Sequence, residues 1–186
     1  MKALPTRLPG LTVIEPAIHG DARGWFQETY RRGAMADLGI TDEFVQDNHS
    51  RSARGVLRGL HFQVGEHPQA KLVRCARGAI VDVAVDLRRG SPTYGQWEAW
   101  QLDDDRGLQL YCPVGFAHGF VVLSEMADVV YRCSDYYDPE GDSGIRFDDP
   151  AVGVDWPGGP HSVSHRDAHA PLLADIADQL PFEWTG

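Results

Sequence analysis

The stretch Gly55-Val56-Leu57-Arg58-Gly59-Leu60-His61-Phe62-Gln63 combines a strand pattern with three polar side chains, and it decides how the rest of the chain is interpreted. Its β-favouring and apolar residues predict a strand, and its two glycines indicate a bulge or a close backbone approach. His61 and Gln63 share one face, whereas Arg58 joins that face only if a bulge lies near Gly59. The three polar residues favour a pocket wall. The alternative is a half-exposed strand whose polar face meets water.

Length and composition are those of an ordinary globular domain. The chain has 186 residues, 42% of them apolar and 24% charged, so we expect a single domain with a substantial core. No apolar run is long enough to span a bilayer and no signal-peptide pattern is present, so we expect no membrane association. The three cysteines lie far apart without a C-x-x-C pair, which is typical of reduced thiols in a cytoplasmic protein.

The charge is unevenly distributed along the chain. The net charge is −10, yet residues 51–89 carry eight Arg and Lys against three Asp and Glu, a local charge of +5. A basic centre in an acidic chain favours a small anionic ligand such as a phosphate or diphosphate. The acidic remainder would repel the long phosphate track of a nucleic acid, so no nucleic-acid partner is expected. The alternative is accidental clustering on a solvated face.

Short predicted strands separated by Gly- and Pro-containing turns follow one another along the chain. Residues 79–87 show the clearest alternation with a period of two, which is typical of a strand. Predicted strands cover residues 11–18 (interrupted at Pro16), 25–30, 44–48, 55–63, 71–76, 79–87, 96–102, 108–112, 119–124 and 128–134, and short helices cover 32–38 and about 171–179. So many short strands predict a β-sandwich or barrel.

The segment Pro113-Val114-Gly115-Phe116-Ala117-His118 narrows the fold further. Its P-x-G-x-x-H pattern resembles the second motif of the cupin jelly rolls. In that superfamily the first motif usually supplies H-x-H and a Glu as metal ligands, whereas this chain has His61-Phe62-Gln63. An amide is a poor ligand for a transition metal. We therefore expect an all-β, cupin-type jelly-roll β-barrel with a few short peripheral helices, and neither a metal nor another cofactor.

Over nearly its full length the chain resembles the dTDP-4-dehydrorhamnose 3,5-epimerase family. Single motifs are weak, but their order and spacing together are specific to the family. The residues that carry the resemblance are Asp21-Ala22-Arg23-Gly24 with Phe26 and Glu28, Gln46-x-Asn48-x-Ser50, Gly55 to His61, Lys71, Asp82-Val83-x-Val85-Asp86-Leu87-Arg88, Ser91-Pro92-Thr93, Ala117-His118-Gly119-Phe120, Tyr131, Tyr136-Tyr137 and Trp156-Pro157.

The resemblance implies a set of catalytic groups. His61 would be the general base and Asp167 its partner, and Tyr131 would be the acid on the opposite face of the sugar. Lys71 and His118 would lie near the 4-keto oxygen of the substrate. Taken singly, each has an ordinary structural explanation: Lys71 as a surface charge, His118 as a turn cap, Tyr131 as a core residue and Asp167 as an acid in a first helical turn. Their joint occurrence in the family order favours the functional interpretation.

The resemblance also implies a set of substrate-binding groups. Arg58 and Arg166 would meet the diphosphate, and Tyr137 would stack on the thymine. Gln46 and Asn48 would bind polar parts of the ligand.

Further residues are implied to act between two subunits of a homodimer. Arg23, Phe26 and Glu28 would reach into the neighbouring subunit's pocket, so the N-terminal strands within about residues 11–48 of the single domain 1–186 are expected to be exchanged. One departure from the family is visible at Asp142, where a Glu is frequent, so this contact with the substrate is expected to be shortened or lost.

The implied reaction inverts carbons 3 and 5 of dTDP-4-dehydro-6-deoxy-D-glucose, through removal of protons next to the 4-keto group and their return on the opposite face. No redox cofactor is needed. Two alternatives remain open: an epimerase that inverts a single carbon, or a cupin module that binds nucleotide sugars without catalysis. The complete set of base, acid and cation disfavours the second.

Overall fold

A computed structural model covers residues 1–186 and contains thirteen β-strands and three short helices. The strands are β1 Lys2–Leu4, β2 Thr12–Glu15, β3 Ile18–Asp21, β4 Gly24–Gln27, β5 Gln46–Ala53, β6 Leu57–Gln63, β7 Lys71–Arg77, β8 Ala79–Asp86, β9 Trp97–Asp103, β10 Gln109–Cys112, β11 Phe116–Val122, β12 Met126–Cys133 and β13 Asp142–Gly144. The helices are α1 Arg32–Ala36, α2 His165–Ala168 and α3 Leu173–Ile176, and a 3₁₀ turn follows at Ala177–Gln179. The prediction of an all-β fold with short peripheral helices is confirmed.

Two antiparallel sheets pack face to face. One has six strands in the order β1-β2-β10-β7-β12-β5, and the other has five in the order β13-β6-β11-β8-β9. The largest apolar cluster draws on both, with Val73 and Leu110 from the first sheet and Ile80 and Phe120 from the second. Burial of these inner faces is the main favourable contribution to the packing of the sheets.

The five-stranded sheet is covered on its outer face as well. Val83 and Val85 of β8 alternate with the inward residues of that strand and pack against Ile145, Leu173 and other residues of the C-terminal segment. Every residue of β11 is consequently buried. The predicted helix at about 171–179 is confirmed as α3 and the 3₁₀ turn, which form part of this covering layer.

The predicted bulge lies in β6. His118 of β11 pairs with His61, and Phe120 pairs with Arg58, so two residues of β6 lie opposite the single residue Gly119 of β11. The extra residue turns Arg58 onto the same inner face as His61. The main chains approach closely here, because a Cβ atom added at Gly59 would lie 2.6 Å from Cα of Gly119.

Several boundaries differ from the predictions. The strand predicted over 11–18 is divided into β2 and β3, as its proline suggested, and the strand predicted over 44–48 continues to residue 53 as β5. The strands β1 and β13 have three residues each and no apolar alternation, so the pattern did not indicate them. The hairpin β3–β4 pairs with no other strand and leaves Trp25 and Phe26 exposed. None of the three helices has the length and apolar character of a membrane-spanning segment.

We expect the substitution Gly59→Ala to lower the free energy of unfolding by more than about 2 kcal/mol, because the backbone has φ +144° and the new methyl group would meet the main chain of Gly119. Urea denaturation followed by tryptophan fluorescence measures the change. Gly33→Ala is the matched control, because a Cβ atom there would have no neighbour within 4 Å and would lie in α1. The control is expected to change stability by less than about 1 kcal/mol. Equal effects of the two substitutions would contradict the close approach.

Candidate active site

His61 and Asp167 form a hydrogen-bonded pair at the edge of the inner cavity. Nε2 of His61 lies 2.7 Å from Oδ1 of Asp167, which is 3% exposed. The second carboxylate oxygen accepts a hydrogen bond from the backbone N–H of Gly59 at 3.3 Å. Because a carboxylate can only accept, Nε2 carries the hydrogen and Nδ1 of His61 is left as the basic nitrogen.

Helix α2 places Asp167 for this contact. The hydroxyl of Ser164 caps the helix by accepting a hydrogen bond from the backbone N–H of Asp167 at 3.1 Å. Burial alone would raise the pKa of the Asp167 carboxyl, but the hydrogen bond and charge interaction with His61, together with the hydrogen bonds to Gly59 and Ser164, bring the pKa below its ordinary value. Asp167 therefore remains ionised beside the histidine at neutral pH.

The two sheets contribute different chemistry to one cavity. Its volume is about 180 Å³, and the five-stranded sheet supplies His61 and His118 while the six-stranded sheet supplies Lys71 and Tyr131. Its lining is completed by Ser50, Arg58 and Phe120. A flat ligand between the sheets would thus have the imidazole of His61 and the phenol of Tyr131 on opposite sides.

Lys71 is a cation held in a poorly solvated place. It begins β7, where its neighbours across the sheet are Cys112 and Cys133. The residue keeps some exposure through the cavity, yet its ammonium group is surrounded by protein, and this burial lowers the pKa of Lys71. More distant acidic groups, including Asp142 and Asp82, partly oppose the shift.

His118 has a buried acidic partner that the sequence did not identify as a site residue. Nε2 of His118 lies 2.8 Å from Oδ1 of Asp82, whose side chain is fully buried. The contact does not meet hydrogen-bond geometry, so both carboxylate oxygens of Asp82 are buried without a hydrogen-bond partner. Burial raises the pKa of the Asp82 carboxyl and the charge of His118 opposes this shift. The alternation in residues 79–87 could have identified Asp82, because it places Asp82 on the same face of the strand as Ile80 and Ala84.

The substrate-binding candidates line a neighbouring cavity of about 280 Å³ that also reaches His61, Lys71 and Tyr131. Arg166 donates two hydrogen bonds to Asp142, at 2.6 and 2.8 Å, and the hydroxyl of Tyr137 donates to the same carboxylate at 3.1 Å. The Asp142 carboxylate thus contacts both Arg166 and Tyr137, and its expected shortened or lost contact with the substrate stays a prediction. Gln46 donates to Asn48 at 3.2 Å, so both side chains lie on one face of β5.

Arg58 also reaches the site, whereas three N-terminal candidates do not. Arg58 lines the cavity of 180 Å³ and donates from Nε to Ser52 at 3.1 Å. Arg23 pairs with Asp21 within the exposed hairpin β3–β4, and Phe26 and Glu28 likewise line neither cavity of their own chain.

A larger cavity, about 650 Å³, lies beside the C-terminal helix and is lined by Tyr94, Trp97, Leu173 and other mainly apolar residues. It holds no pair of acid and base groups. Nor does the chain bring together three or more His, Cys, Asp or Glu side chains in an arrangement that could hold a metal ion.

Comparison with known proteins identifies the family of the chain. A family model described as dTDP-4-dehydrorhamnose 3,5-epimerase matches residues 5–175. The chain belongs to this family of isomerases. A dTDP-4-dehydrorhamnose 3,5-epimerase from Salmonella typhimurium is 48% identical over 175 residues, which cover 93% of this chain and 96% of that relative.

Solved structures of similar proteins have the same fold. A dTDP-6-deoxy-D-glucose-3,5-epimerase from Legionella pneumophila, in complex with dTDP-4-keto-L-rhamnose, has a TM-score of 0.95 and 47% identity over 100% of this chain and 99% of that one. The 3'-monoepimerase ChmJ from Streptomyces bikiniensis, a double variant in complex with dTDP, has a TM-score of 0.89 and 36% identity over 96% and 92% of the two chains. The His and Tyr substituted in that variant have the same separation in sequence as His61 and Tyr131. The predicted cupin-type fold is confirmed.

We expect Lys71→Met to separate stability from activity in this epimerase-family protein. Because the pKa of Lys71 is lowered in the folded state, the charged ammonium group destabilises the folded protein. This destabilisation is complete at any pH below the folded-state pKa. It decreases as the pH rises from there towards the ordinary pKa of lysine. At pH 7 the variant should have an unfolding free energy that is unchanged or higher by up to about 2 kcal/mol. Its turnover should fall by about 10²–10³-fold if Lys71 stabilises a developing oxyanion.

Lys2→Met is the matched control, since Lys2 is exposed and pairs with Glu15 on the surface. It should alter neither urea denaturation nor turnover appreciably. A Lys71→Met variant that loses stability and activity together would identify Lys71 as a structural residue.

Proposed function

We propose that the protein inverts carbons 3 and 5 of dTDP-4-dehydro-6-deoxy-D-glucose to give dTDP-4-dehydro-L-rhamnose. The observation that carries this proposal is that His61, paired with Asp167, faces Tyr131 and Lys71 across one cavity between the two sheets. Family membership supports the reaction class, and the relative solved with dTDP-4-keto-L-rhamnose supports the substrate class.

In this proposal His61 is the base. Nδ1 of His61 takes the proton from carbon 3 or carbon 5, each of which is next to the 4-keto group, and the electrons of the broken C–H bond form an enolate. Asp167 stabilises the imidazolium that results. Positioned proton transfer contributes on the order of 10²–10⁴-fold, so the enolate oxygen needs further stabilisation, which we assign to Lys71 and His118.

Tyr131 is proposed to return a proton on the opposite face. It belongs to β12, in the sheet that faces the strand of His61. Burial raises the pKa of Tyr131 above its ordinary value, so the phenol stays protonated and can act as the acid. The positive charge of Arg58 opposes that shift and would favour the phenolate left after transfer.

The remaining candidates are proposed to bind the nucleotide diphosphate. Arg166 and Arg58 would contact the phosphate oxygens, Arg166 by exchanging its contact with Asp142 for one with the ligand. Tyr137, whose ring is exposed, would stack on the thymine. Gln46 and Asn48 would hydrogen-bond polar groups of the ligand.

We further propose a homodimer in which the hairpin β3–β4 completes the partner's site. β2 and β5 pair with β10 and β12 of their own chain, so the hairpin is the part of residues 11–48 that is free for exchange. Its two aromatic side chains, Trp25 and Phe26, are 59% and 68% exposed, and such an apolar surface is typical of an interface. Arg23 and Glu28 would accompany them into the partner's pocket.

A second candidate function is inversion of a single carbon, which the similarity to a 3'-monoepimerase favours. The sugar nucleotide incubated with the purified protein in D₂O separates the two, because proton NMR reports whether deuterium enters at carbon 3, at carbon 5 or at both. A protein that binds the nucleotide and exchanges neither proton would instead be a binding module.

We expect Tyr131→Phe to lose inversion while retaining proton exchange, because the base and the groups around the enolate oxygen remain. The enolate would be reprotonated mainly from the His61 side, which regenerates the starting configuration. In D₂O the α-proton signals should continue to disappear while inverted product falls by about 10²-fold or more. His61→Ala should abolish both, since no proton is removed. Equal losses of exchange and inversion in Tyr131→Phe would assign Tyr131 to binding or packing.

We also expect two inactive variants to complement each other if the sites are shared. Statistical mixing of Arg23→Ala with His61→Ala creates heterodimers in which one pocket has both residues, so about a quarter of wild-type activity per subunit should return. Mixing Lys71→Met with His61→Ala is the control, because each pocket then lacks one residue of its own chain and nothing should return. Absence of recovery in verified Arg23/His61 heterodimers would show that each pocket is built from one chain.

A further inference from the structure

We propose that Gln63 is a positioning residue that fixes the backbone on either side of Tyr137. Its side chain is 4% exposed and hydrogen-bonds to the loop between β12 and β13. Nε2 donates to the carbonyl oxygen of Tyr136 at 2.9 Å, and Oε1 accepts from the backbone N–H of Asp138 at 3.0 Å. Nε2 also donates to the carbonyl oxygen of His67, in the loop after β6.

A second glutamine holds the same loop from the facing sheet. Oε1 of Gln46, on β5, accepts a hydrogen bond from the backbone N–H of Tyr137 at 2.9 Å. Gln63 lies on β6 in the five-stranded sheet. One side-chain amide from each sheet thus hydrogen-bonds to the backbone of the three consecutive residues Tyr136, Tyr137 and Asp138. The main chain at Tyr137 is thereby fixed to both halves of the fold.

The chemistry of the contact requires a carboxamide. Gln63 acts as a donor to two carbonyl oxygens and as an acceptor from one N–H. A carboxylate would lose both donors, and an imidazole offers too few groups for three partners. This accounts for an amide at the place where the H-x-H pattern has a second histidine. The side chain is engaged in holding a loop.

The loop carries an aromatic surface that is presented to solvent. Tyr137 is 57% exposed, and its hydroxyl contacts Asp142, which in turn binds Arg166. A ring that is held in place before the ligand arrives loses less conformational freedom on binding. Resting on the proposed function, in which Tyr137 contacts the thymine, the inference is that Gln63 contributes to nucleotide affinity through Tyr137 and little to proton transfer.

Gln63→Met tests this, because methionine has a similar length, no charge and no amide. Calorimetric titration should show that the variant binds dTDP at least about 10-fold more weakly, while its affinity for inorganic pyrophosphate, which lacks the base, changes by less than about 2-fold. Its KM for the sugar nucleotide should rise by a similar factor to the dTDP dissociation constant, with kcat within about 3-fold of the wild-type value.

A double-mutant cycle with Tyr137→Ala shows whether Gln63 acts through Tyr137. The double variant should bind dTDP as weakly as Tyr137→Ala alone. Additive losses, or equal weakening of dTDP and pyrophosphate binding in Gln63→Met, would overturn the proposal. If Tyr137→Ala itself leaves dTDP affinity unchanged, the contact with the base in the proposed function is wrong. If Tyr137→Ala weakens dTDP binding and Gln63→Met does not, only the positioning proposal fails.

Ser124→Ala is the matched control. The Ser124 hydroxyl accepts from the backbone N–H of Ala79 at 2.9 Å and donates to the carbonyl oxygen of Met126 at 2.7 Å, at the opposite end of β12. It should lower Tm without altering dTDP affinity.

A measurement on the wild-type chain avoids any effect of substitution on folding. The backbone N–H groups of Tyr137 and Asp138 should exchange slowly with D₂O, since side-chain amides hold them. Exchange as fast as that of Glu140, whose N–H bonds only to the nearby Asp138 side chain, would contradict the proposal that Gln46 and Gln63 hold this loop.

Discussion

The close approach of Gly59 to Gly119 is the constraint on which the arrangement of the site depends. With no side chain at either position, β6 comes close enough to β11 to form a bulge, and the extra residue turns both Arg58 and His61 towards the inner cavity. Without it, a regular strand would send Arg58 to the outer face, into the layer of C-terminal residues. At the same bulge the backbone N–H of Gly59 donates to Asp167, so this irregularity of β6 contacts both members of the pair.

The division of the site between two sheets explains why this fold suits an inversion of configuration. Sheets packed face to face leave a gap that is about as wide as the side chains that fill it. Where the apolar cluster ends, the gap holds His61 and His118 on one wall and Lys71 and Tyr131 on the other. In the proposed reaction a proton would therefore be taken on one side of a planar intermediate and returned on the other.

Much of the fold and of the candidate site could be predicted from the sequence. The features that could not be predicted are contacts between residues far apart in sequence and segments without an apolar pattern. The bulge followed from Arg58, Gly59 and His61, because side chains on one strand obey a simple alternation. The contact of His61 with Asp167 joins residues 106 positions apart, and only the family resemblance indicated it. Asp82 was not identified as a site residue because its importance lies in its contact with His118 on β11. The contacts of Gln63 depend on the path of a loop, which has no periodic signal.

The position of Asp167 near the end of the sequence has a consequence for the order in which the site is assembled during synthesis. This carboxylate lies in the last part of the chain, whose neighbouring residues form the layer over the outer face of the five-stranded sheet. A chain synthesised only as far as β13 contains every strand and His61, but it lacks the carboxylate that contacts this imidazole. Completion of the covering layer is thus also the step that brings together the proposed pair of His61 and Asp167.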